Sequence, residues 1–392
     1  MQRQACRVGG IWLHIEDTTT LSFNERKDVE GLGWTGHKEG RSKGKGIFLH
    51  TALNARIESW TENQNPQVTL QGLVSQEWWV RTEPSKHGKE SKKEAFERPR
   101  ESERWGRWYG LCDGPSPDAQ WIYVADRESD SYEIFERCTA NGIDFVIRAR
   151  TDRALSENAR HLFAAVKEAP CLGAYTHTLR TRGKDKSRVA TLEVRAINTS
   201  IKGPWRPGGW LPPFPLHVVE VQEVNAPEGV EPIQWVLLTD MCPSDFTAAH
   251  RIAQIYACRW LIEEYHKALK TGVGIEKTQL RNAGSITALL GILALVAVRL
   301  LNMKFLARTH PDTIVPTATL EPEMLDVLTA KFGKPEGGWT YASALTGVAK
   351  IGGFLARKGD GYPGWLTIWR GWNKLVILAE GLLLARALEK CG

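Results

Sequence analysis

The sequence predicts an α/β protein in which a mixed sheet is interrupted by a β-rich insertion and followed by a helical C-terminal region. Three observations predict this class. Short apolar, β-branched runs dominate the first 150 residues and enclose two helical segments. Strand-like runs then continue to about residue 240 between loops rich in Gly, Pro and basic residues. Helical periodicity takes over from there to the end of the 392-residue chain.

Residues 1–150 carry the first part of the predicted sheet. Five runs bounded by Gly, Pro, Asn or Asp are predicted as strands: 10–17, 46–55, 68–80, 121–126 and 144–149. Helical character is expected at 101–112 and at 131–141, the second after a Ser/Asp capping signal. The charged stretch 82–104 mixes both signs and is predicted as a solvated loop.

Four segments complete the predicted organisation. The β-rich insertion covers 151–240, and 241–310 holds two helices, from about Phe246 to Lys270 and from about 285 to 305. Residues 311–337 contain prolines and are predicted as a linker. Residues 338–392 are predicted as a helical tail, whose four tryptophans we expect to pack rather than to bind nucleic acid.

Composition limits the classes of function. A net charge of +6 favours a polyanionic partner only weakly. The seven cysteines are scattered, odd in number and without zinc-ligand spacing, which is typical of a reduced, cytoplasmic protein. The N-terminus shows no signal-peptide pattern. The uncharged run 286–298 would span about 20 Å as a helix, short of the roughly 30 Å of a bilayer core, so we expect a buried core helix and no membrane.

One helical segment, 255–272, carries a chemically suggestive face. At about 100° per residue, one side of the helix collects five polar side chains within roughly 80° of arc: Tyr256, Arg259, Glu263, Lys267 and Lys270. The opposite side collects Cys258, Leu261, Ile262, Tyr265 and Leu269. A carboxylate that binds a hard cation, beside Arg and Lys that bind phosphate oxygens, would make a phosphodiester site. A solvated face with a Glu263–Lys267 ion pair is the alternative.

Two carboxylates elsewhere could complete such a site. Asp17 and Asp126 each end an apolar strand run, where a side chain faces outward at the edge of a sheet. Turn chemistry is the alternative for each of them. By strand alternation Glu16 points away from Asp17, and Asp130 is expected to cap the helix that follows. We therefore leave Glu16, Glu128, Asp130 and His14 out of the candidate set.

These residues form a recognisable pattern. The spacing Y-x2-R-x3-E-x6-K is met by Tyr256, Arg259, Glu263 and Lys270. With it come IEDTTTLSF around Asp17, QEWWVR, VADRESD around Asp126, FVIRAR, QWVLLTD and KIGGFLARKGDGYPGWLTIWRGW, in the same order over nearly the whole chain. The sequence resembles the bacterial cut-and-paste DDE transposases of the insertion-sequence-four group, which contains the transposase of transposon five.

The resemblance implies an α/β, ribonuclease-H-like catalytic core interrupted by a β-rich insertion and followed by a helical dimerisation tail. Asp17, Asp126 and Glu263 would bind two Mg²⁺ ions, or Mn²⁺ in their place. Similar enzymes bind double-stranded DNA as homodimers, nick one strand, form a hairpin, open it and join the ends to target DNA.

Several side chains match positions that contact DNA in that family. Tyr256, Arg259 and Lys270 match residues that hold phosphates beside a flipped base, and Arg148 and Arg150 match basic DNA contacts, with solvated surface as the alternative for Arg150. Trp235 matches a tryptophan that stacks on the disturbed bases, with a core position as the alternative. Lys267 joins them by its place on the helix face.

The sequence departs from the family at its start. Only 16 residues precede Asp17, where family members carry a helical domain that recognises the transposon ends. This departure leaves two alternatives to an active transposase: a truncated chain that pairs with and inhibits a full-length transposase, or a domesticated metal-dependent nuclease. The loop 202–215 is also longer than the family usually shows.

Overall fold

The structure is a computed structural model, and it describes residues 9–23, 29–35, 44–61, 65–81, 101–107, 114–157, 160–179 and 188–391. The chain divides into two compact units. The first comprises Met1–Thr18, His50–Glu77 and His87–Ile262. The second comprises Thr19–Leu49, Trp78–Lys86 and Glu263–Gly392.

A large mixed sheet organises the strands. The strands are β1 (Gly10–Ser22), β2 (Gly33–Trp34), β3 (Lys45–Ser59), β4 (Gln67–Trp79), β5 (Ala119–Ala125), β6 (Asp144–Arg148), β7 (Cys171–Leu179), β8 (Arg188–Ile201), β9 (Trp205–Arg206), β10 (Gly209–Trp210), β11 (Phe214–Val224) and β12 (Gln234–Thr239). Their order is β2-β3-β1-β5-β6-β12-β11-β8-β7, with β4 on β3, while β9 and β10 form a separate hairpin. The predicted α/β class is confirmed.

The inserted strands extend the same sheet. Strands β1, β5 and β6 are parallel neighbours. Strand β12 then pairs antiparallel with β6, and β11, β8 and β7 continue antiparallel beyond it. The β-rich insertion thus adds its strands to the edge that β6 would otherwise leave open, which satisfies the backbone groups of that edge.

Eight α-helices lie in the described part of the chain. They are α1 (Tyr132–Ala140), α2 (Leu162–Lys167), α3 (Phe246–Ala257), α4 (Trp260–Lys267), α5 (Ala283–Thr309), α6 (Pro322–Phe332), α7 (Tyr341–Ile351) and α8 (Trp365–Cys391). Helix α6 falls inside the predicted linker. Of the predicted helical stretch 101–112, the structure shows a 3₁₀ turn at Glu101–Arg104, and residues 108–112 lie outside the described ranges, as do 82–100 of the charged loop.

Two local predictions are wrong. The predicted single helix from Phe246 to Lys270 is broken at Cys258 and Arg259. There the backbone N–H groups donate to the carbonyl three residues earlier instead of four, as the Arg259 N–H does to the Tyr256 carbonyl at 2.9 Å. The helix α1 is capped by Ser131, whose Oγ accepts from the Ile134 N–H. Asp130 does not cap it, because its carboxylate accepts from Arg153 and from the Arg150 and Thr151 N–H groups.

Helix α5 is buried along one face only, which corrects the expectation of a buried core helix. Ile286, Leu290 and Ala294 are buried, whereas Ile292 is 64% and Leu295 68% exposed. Within the described residues it is the one helix long and apolar enough to cross a membrane, and a third of its most apolar window is buried. Core helices of soluble proteins share that length and composition, so this observation alone is weak evidence for a membrane span.

Candidate active site

Asp17 and Asp126 emerge side by side because of the register of two parallel strands. Strand β1 pairs with β5 up to Glu16 opposite Ala125, so the next residue of each strand is one of the two aspartates. Asp126 leaves the sheet and caps the 3₁₀ turn Arg127–Ser129. Asp17 ends the apolar run as predicted, but its strand continues to Ser22.

The guanidinium of Arg259 bridges the two carboxylates. Its Nη1 lies 3.8 Å from Asp17 Oδ2 and 4.0 Å from Asp126 Oδ2. Arg259 occupies the break between α3 and α4, where the chain leaves the regular helical path. Two carboxylates that share one cation form a preorganised site for positive charge.

Negative charge is concentrated at this edge of the sheet. The pKa of Asp17 is raised from 3.8 to about 6, mainly by burial. Arg259 and the Thr18 N–H oppose this rise, and the carboxylates of Asp126 and Glu128 contribute to it. Burial and Asp126 also raise the pKa of Glu128, an effect that Arg150 opposes. A nearby cation would offset the cost of burying these carboxylates in their ionised form.

Trp235 and Tyr256 meet beside Arg148. The two rings pack edge to face with centroids 5.1 Å apart. Arg148 donates to the carbonyl of Gln234 at 2.8 Å. Burial raises the pKa of Tyr256, and the positive charges of Arg259 and Arg148 partly offset that rise. The predicted alternation of β12 is confirmed, since Val236 and Leu238 belong to the core cluster and the half-buried Trp235 does not.

The helix-face prediction is correct for part of the set and wrong for Tyr256. The side predicted to be apolar is buried at Cys258, Leu261, Ile262, Tyr265 and Leu269. Arg259 is half-buried. Tyr256 was expected on the polar face, but it is only 3% exposed. The break at Cys258 ends the 100° periodicity, so α3 presents its last turn to the interior.

A buried polar network underlies the two aspartates, and sequence reasoning did not find it. Glu16 accepts a hydrogen bond from the Tyr123 hydroxyl at 2.9 Å, and His50 Nε2 lies 3.5 Å from the same carboxylate. His50 Nδ1 bonds Thr18 at 2.9 Å, and Tyr123 bonds Ser129 at 2.9 Å. Its members neighbour Asp17 and Asp126 in the chain, so the network holds both strand ends. As predicted, Glu16 points away from Asp17 into the interior.

The remaining predicted site residues belong to the second compact unit. Glu263 and Lys267 are exposed on α4, and Lys270 is half-buried in the π-helical turn Ala268–Gly272. Lys267 lies 3.4 Å from Glu264, which also pairs with Lys304 at 3.2 Å. The acidic partner of Lys267 on this helix is therefore Glu264, where the sequence suggested Glu263.

Two comparisons with known protein families decide the assignment. Residues 119–299 match the family model of the transposase DDE domain. Residues 295–392 match the transposase Tn5 dimerisation domain. The two matches together span more than two thirds of the sequence. The chain belongs to the DDE transposases. The predicted resemblance is confirmed, and a transposase DDE domain implies nuclease and strand-joining chemistry in general.

Transposase DDE domains generally use divalent metal ions, and the residues present fit such an ion. The aspartate pair supplies hard oxygen donors, which Mg²⁺ prefers, and it already shares a cation in Arg259. Within the described ranges, no group of three or more His, Cys, Asp or Glu side chains converges as a metal site.

The dimerisation domain of the transposase uses its tryptophans for packing. Trp339, Trp365 and Trp372 are buried, and the indole N–H of Trp365 donates to Glu264 at 3.3 Å. Trp369 is half-buried. The expectation that the tail tryptophans pack within the protein is met by the three buried rings.

Proposed function

We propose that the transposase catalyses cut-and-paste transposition: metal-dependent nicking of double-stranded DNA, hairpin formation and strand transfer. Asp17, Asp126 and Glu263 serve as its catalytic carboxylates. The observation that carries the proposal is the pair of aspartates at adjacent strand ends with one guanidinium between them. Glu263 is assigned on its position in the Y-x2-R-x3-E-x6-K motif and on its exposure.

Bound Mg²⁺ or Mn²⁺ would supply the activation of water or of a DNA 3′-hydroxyl and the stabilisation of the leaving oxygen. The protein's own side chains supply the remaining interactions with metal and phosphate. The raised pKa of Asp17 marks a carboxylate whose charge needs a cation close by. Arg259 and Lys270 hold non-bridging phosphate oxygens, with Lys267 as a weaker contact. The substrate is DNA in the bacterial cytoplasm.

Hairpin formation bends DNA tightly, and an extruded base relieves that bend. Trp235 stacks on the disturbed bases, supported from one side by the ring of Tyr256. Arg148, which lies beside Trp235 and Tyr256, contacts a DNA phosphate. The exposed Arg150 provides a further basic contact with DNA. A stacking ring that is half-buried and held edge to face loses little freedom when a base binds.

The catalytic carboxylates are tested by isosteric neutralisation. Asp17→Asn, Asp126→Asn and Glu263→Gln each remove one negative charge at nearly constant shape. We expect Mg²⁺-dependent nicking of supercoiled DNA to fall by more than about 100-fold in each, since losing even an outer-shell partner of a metal ligand costs about 10–100-fold. Mn²⁺ binding, followed by electron paramagnetic resonance, should weaken in parallel.

The exposed Glu228→Gln is the matched control and should cut and bind Mn²⁺ normally. Undiminished cleavage by Glu263→Gln would remove that residue from the site. A wild-type chain that dimerises but cuts no DNA would overturn the proposed activity and favour a dimerising inhibitor, which the dimerisation-domain match makes possible.

The stacking role of Trp235 is tested by separating the reaction steps. For Trp235→Ala we expect hairpin formation to slow by about tenfold or more while first-strand nicking changes little, because base–aromatic stacking is worth about 1–3 kcal/mol. Trp235→Phe keeps a stacking ring and should retain most of the hairpin rate. Equal loss of both steps in the alanine variant would show that the ring serves packing alone.

A further inference from the structure

The hairpin of β9 and β10 exposes two tryptophans that the proposed chemistry does not use. Trp205 and Trp210 are direct cross-strand partners in this two-stranded sheet. Trp205 is 42% and Trp210 65% exposed. Cross-strand partners project from the same face, so the rings form one aromatic surface, the Trp205–Trp210 hairpin.

This hairpin is anchored firmly, although its rings are exposed. The Leu211 N–H donates to the Pro204 carbonyl at 3.0 Å, and the Tyr132 hydroxyl donates to the Pro212 carbonyl at 2.9 Å. Arg206 forms an ion pair with Glu133. The Leu211–Pro204 bond closes the hairpin, and Tyr132 and Glu133 fix it to α1, while both rings stay exposed. A fixed segment with exposed aromatic rings indicates a surface for a partner.

The anchors place the hairpin at the catalytic edge of the sheet. Tyr132 and Glu133 form the first turn of α1, and Tyr132 follows Asp126 by six residues. Six residues reach at most about 20 Å, so the backbone of Tyr132, whose hydroxyl contacts the hairpin, lies within that distance of the backbone of Asp126.

The chemistry around the rings favours nucleic acid. The Lys202 ammonium lies 4.8 Å from the centroid of the Trp210 ring. Exposed aromatic rings next to a cation are the arrangement with which proteins bind unpaired bases, since the ring stacks on the base and the cation binds the adjacent phosphate. Bases inside a duplex are already stacked on each other, so only unpaired or unstacked bases offer a free face.

We propose that the Trp205–Trp210 hairpin is a second DNA contact of the transposase, which stacks on unpaired bases beside the cleavage site while Lys202 binds the neighbouring phosphate. The inference rests on the proposed function for its partner, and it adds a contact separate from Trp235. It gives the insertion a role in holding DNA that has been opened by cutting.

The experiment measures binding without cleavage. Fluorescence anisotropy, with the metal chelated, compares a blunt duplex of mixed sequence with the same duplex carrying a single-stranded tail. We expect the wild-type chain to bind the tailed duplex more tightly, and Trp205→Ala/Trp210→Ala to lose about tenfold or more of its affinity for the tailed duplex. The blunt duplex should be affected much less. Lys202→Ala should reduce the salt dependence by about one phosphate contact.

Matched variants keep the result interpretable. Trp205→Phe/Trp210→Phe retains stacking rings and should keep the preference for the tailed duplex. Val189→Ala, at a residue as exposed as Trp210 on the same unit, should behave as wild type. Equal affinity of wild type and the alanine variant for the tailed duplex would overturn this inference and leave the proposed function intact. Loss of self-association in the alanine variant, with DNA binding unchanged, would assign the hairpin to a protein partner. A wild-type chain that binds neither duplex would overturn both proposals.

Discussion

Arg259 shows how far single residues could be predicted. Its type and spacing predict a phosphate-binding residue of the motif, and the helix-face argument placed it with Glu263. Its position between Asp17 and Asp126 did not follow from the sequence, because that depends on the break in the helix at Cys258. A break set by a few local hydrogen bonds leaves no periodic pattern in the sequence. For the same reason Tyr256 was predicted on the polar face of the helix although it is buried.

The carboxyl group of Asp240 should make the free energy of unfolding depend on pH. Its pKa is raised from 3.8 to about 6, mainly by burial and in part by the neighbouring Asp144, although the Phe145 N–H donates to it at 2.9 Å. The folded protein therefore holds this proton at a pH where the unfolded chain has lost it, so the free energy of unfolding falls as pH rises from about 4 to about 6.

We expect Asp240→Asn, which keeps the acceptor oxygen, to be more stable than wild type at neutral pH by about 1–2 kcal/mol. The gain should vanish near pH 4, as measured by chemical unfolding across that range. The exposed Asp312→Asn should follow the wild-type curve. A constant difference at all pH values would assign the effect to packing.

Among the elements, strands with strong alternation or apolar runs were predicted well and weakly patterned ones were missed. All five strands predicted in the first 150 residues are present within a few residues of their expected bounds. Strand β7 was not predicted because most of its residues are at least half-exposed, so CLGAYTHTL carries little apolar signal. Helix α6 was missed because its Pro322 suggested a linker, whereas proline is favoured at the first position of a helix.

Contacts between elements were the least predictable feature. Glu264, next to the motif glutamate, joins Lys304 of α5 and Trp365 of α8 in one cluster, with the Lys304 ammonium 4.1 Å from the centroid of the indole ring. The opposite charge of Lys304 lowers the pKa of Glu264 although burial opposes it. The three residues are separated by 40 positions or more in sequence, so no local pattern links them. The cluster ties the helix of the motif to the dimerisation domain.

For the molecule as a whole, the order of motifs predicted the family more reliably than any single property. Net charge and cysteine spacing only narrowed the class of protein, whereas the ordered motifs predicted the transposase family that the two family matches confirm. Exposed apolar surfaces were harder to predict. The sequence pattern of an apolar residue on a helix is the same whether it packs against its own chain or against a second chain.

Helix α8 carries an exposed apolar surface. Ile377 is 66%, Leu384 68% and Leu388 75% exposed, and their spacing places them on one stripe with Gly381 between them. This stripe lies in the region that matches the dimerisation domain, so we expect it to bind the same stripe of a second chain. In Leu384→Glu/Leu388→Glu, four like charges would meet in that interface.

The double variant should therefore run as a monomer on size-exclusion chromatography with light scattering. Its fold should be retained, because both side chains are more than two thirds exposed within their own chain. Leu355→Glu changes an equally exposed leucine outside the stripe and should leave the dimer intact. One chain carries the full proposed set of Asp17, Asp126 and Glu263, so we expect the monomer to retain nicking of a single site. Joining of two ends needs two active sites at once and should be lost. A dimer that survives both glutamates would place the interface elsewhere in residues 295–392.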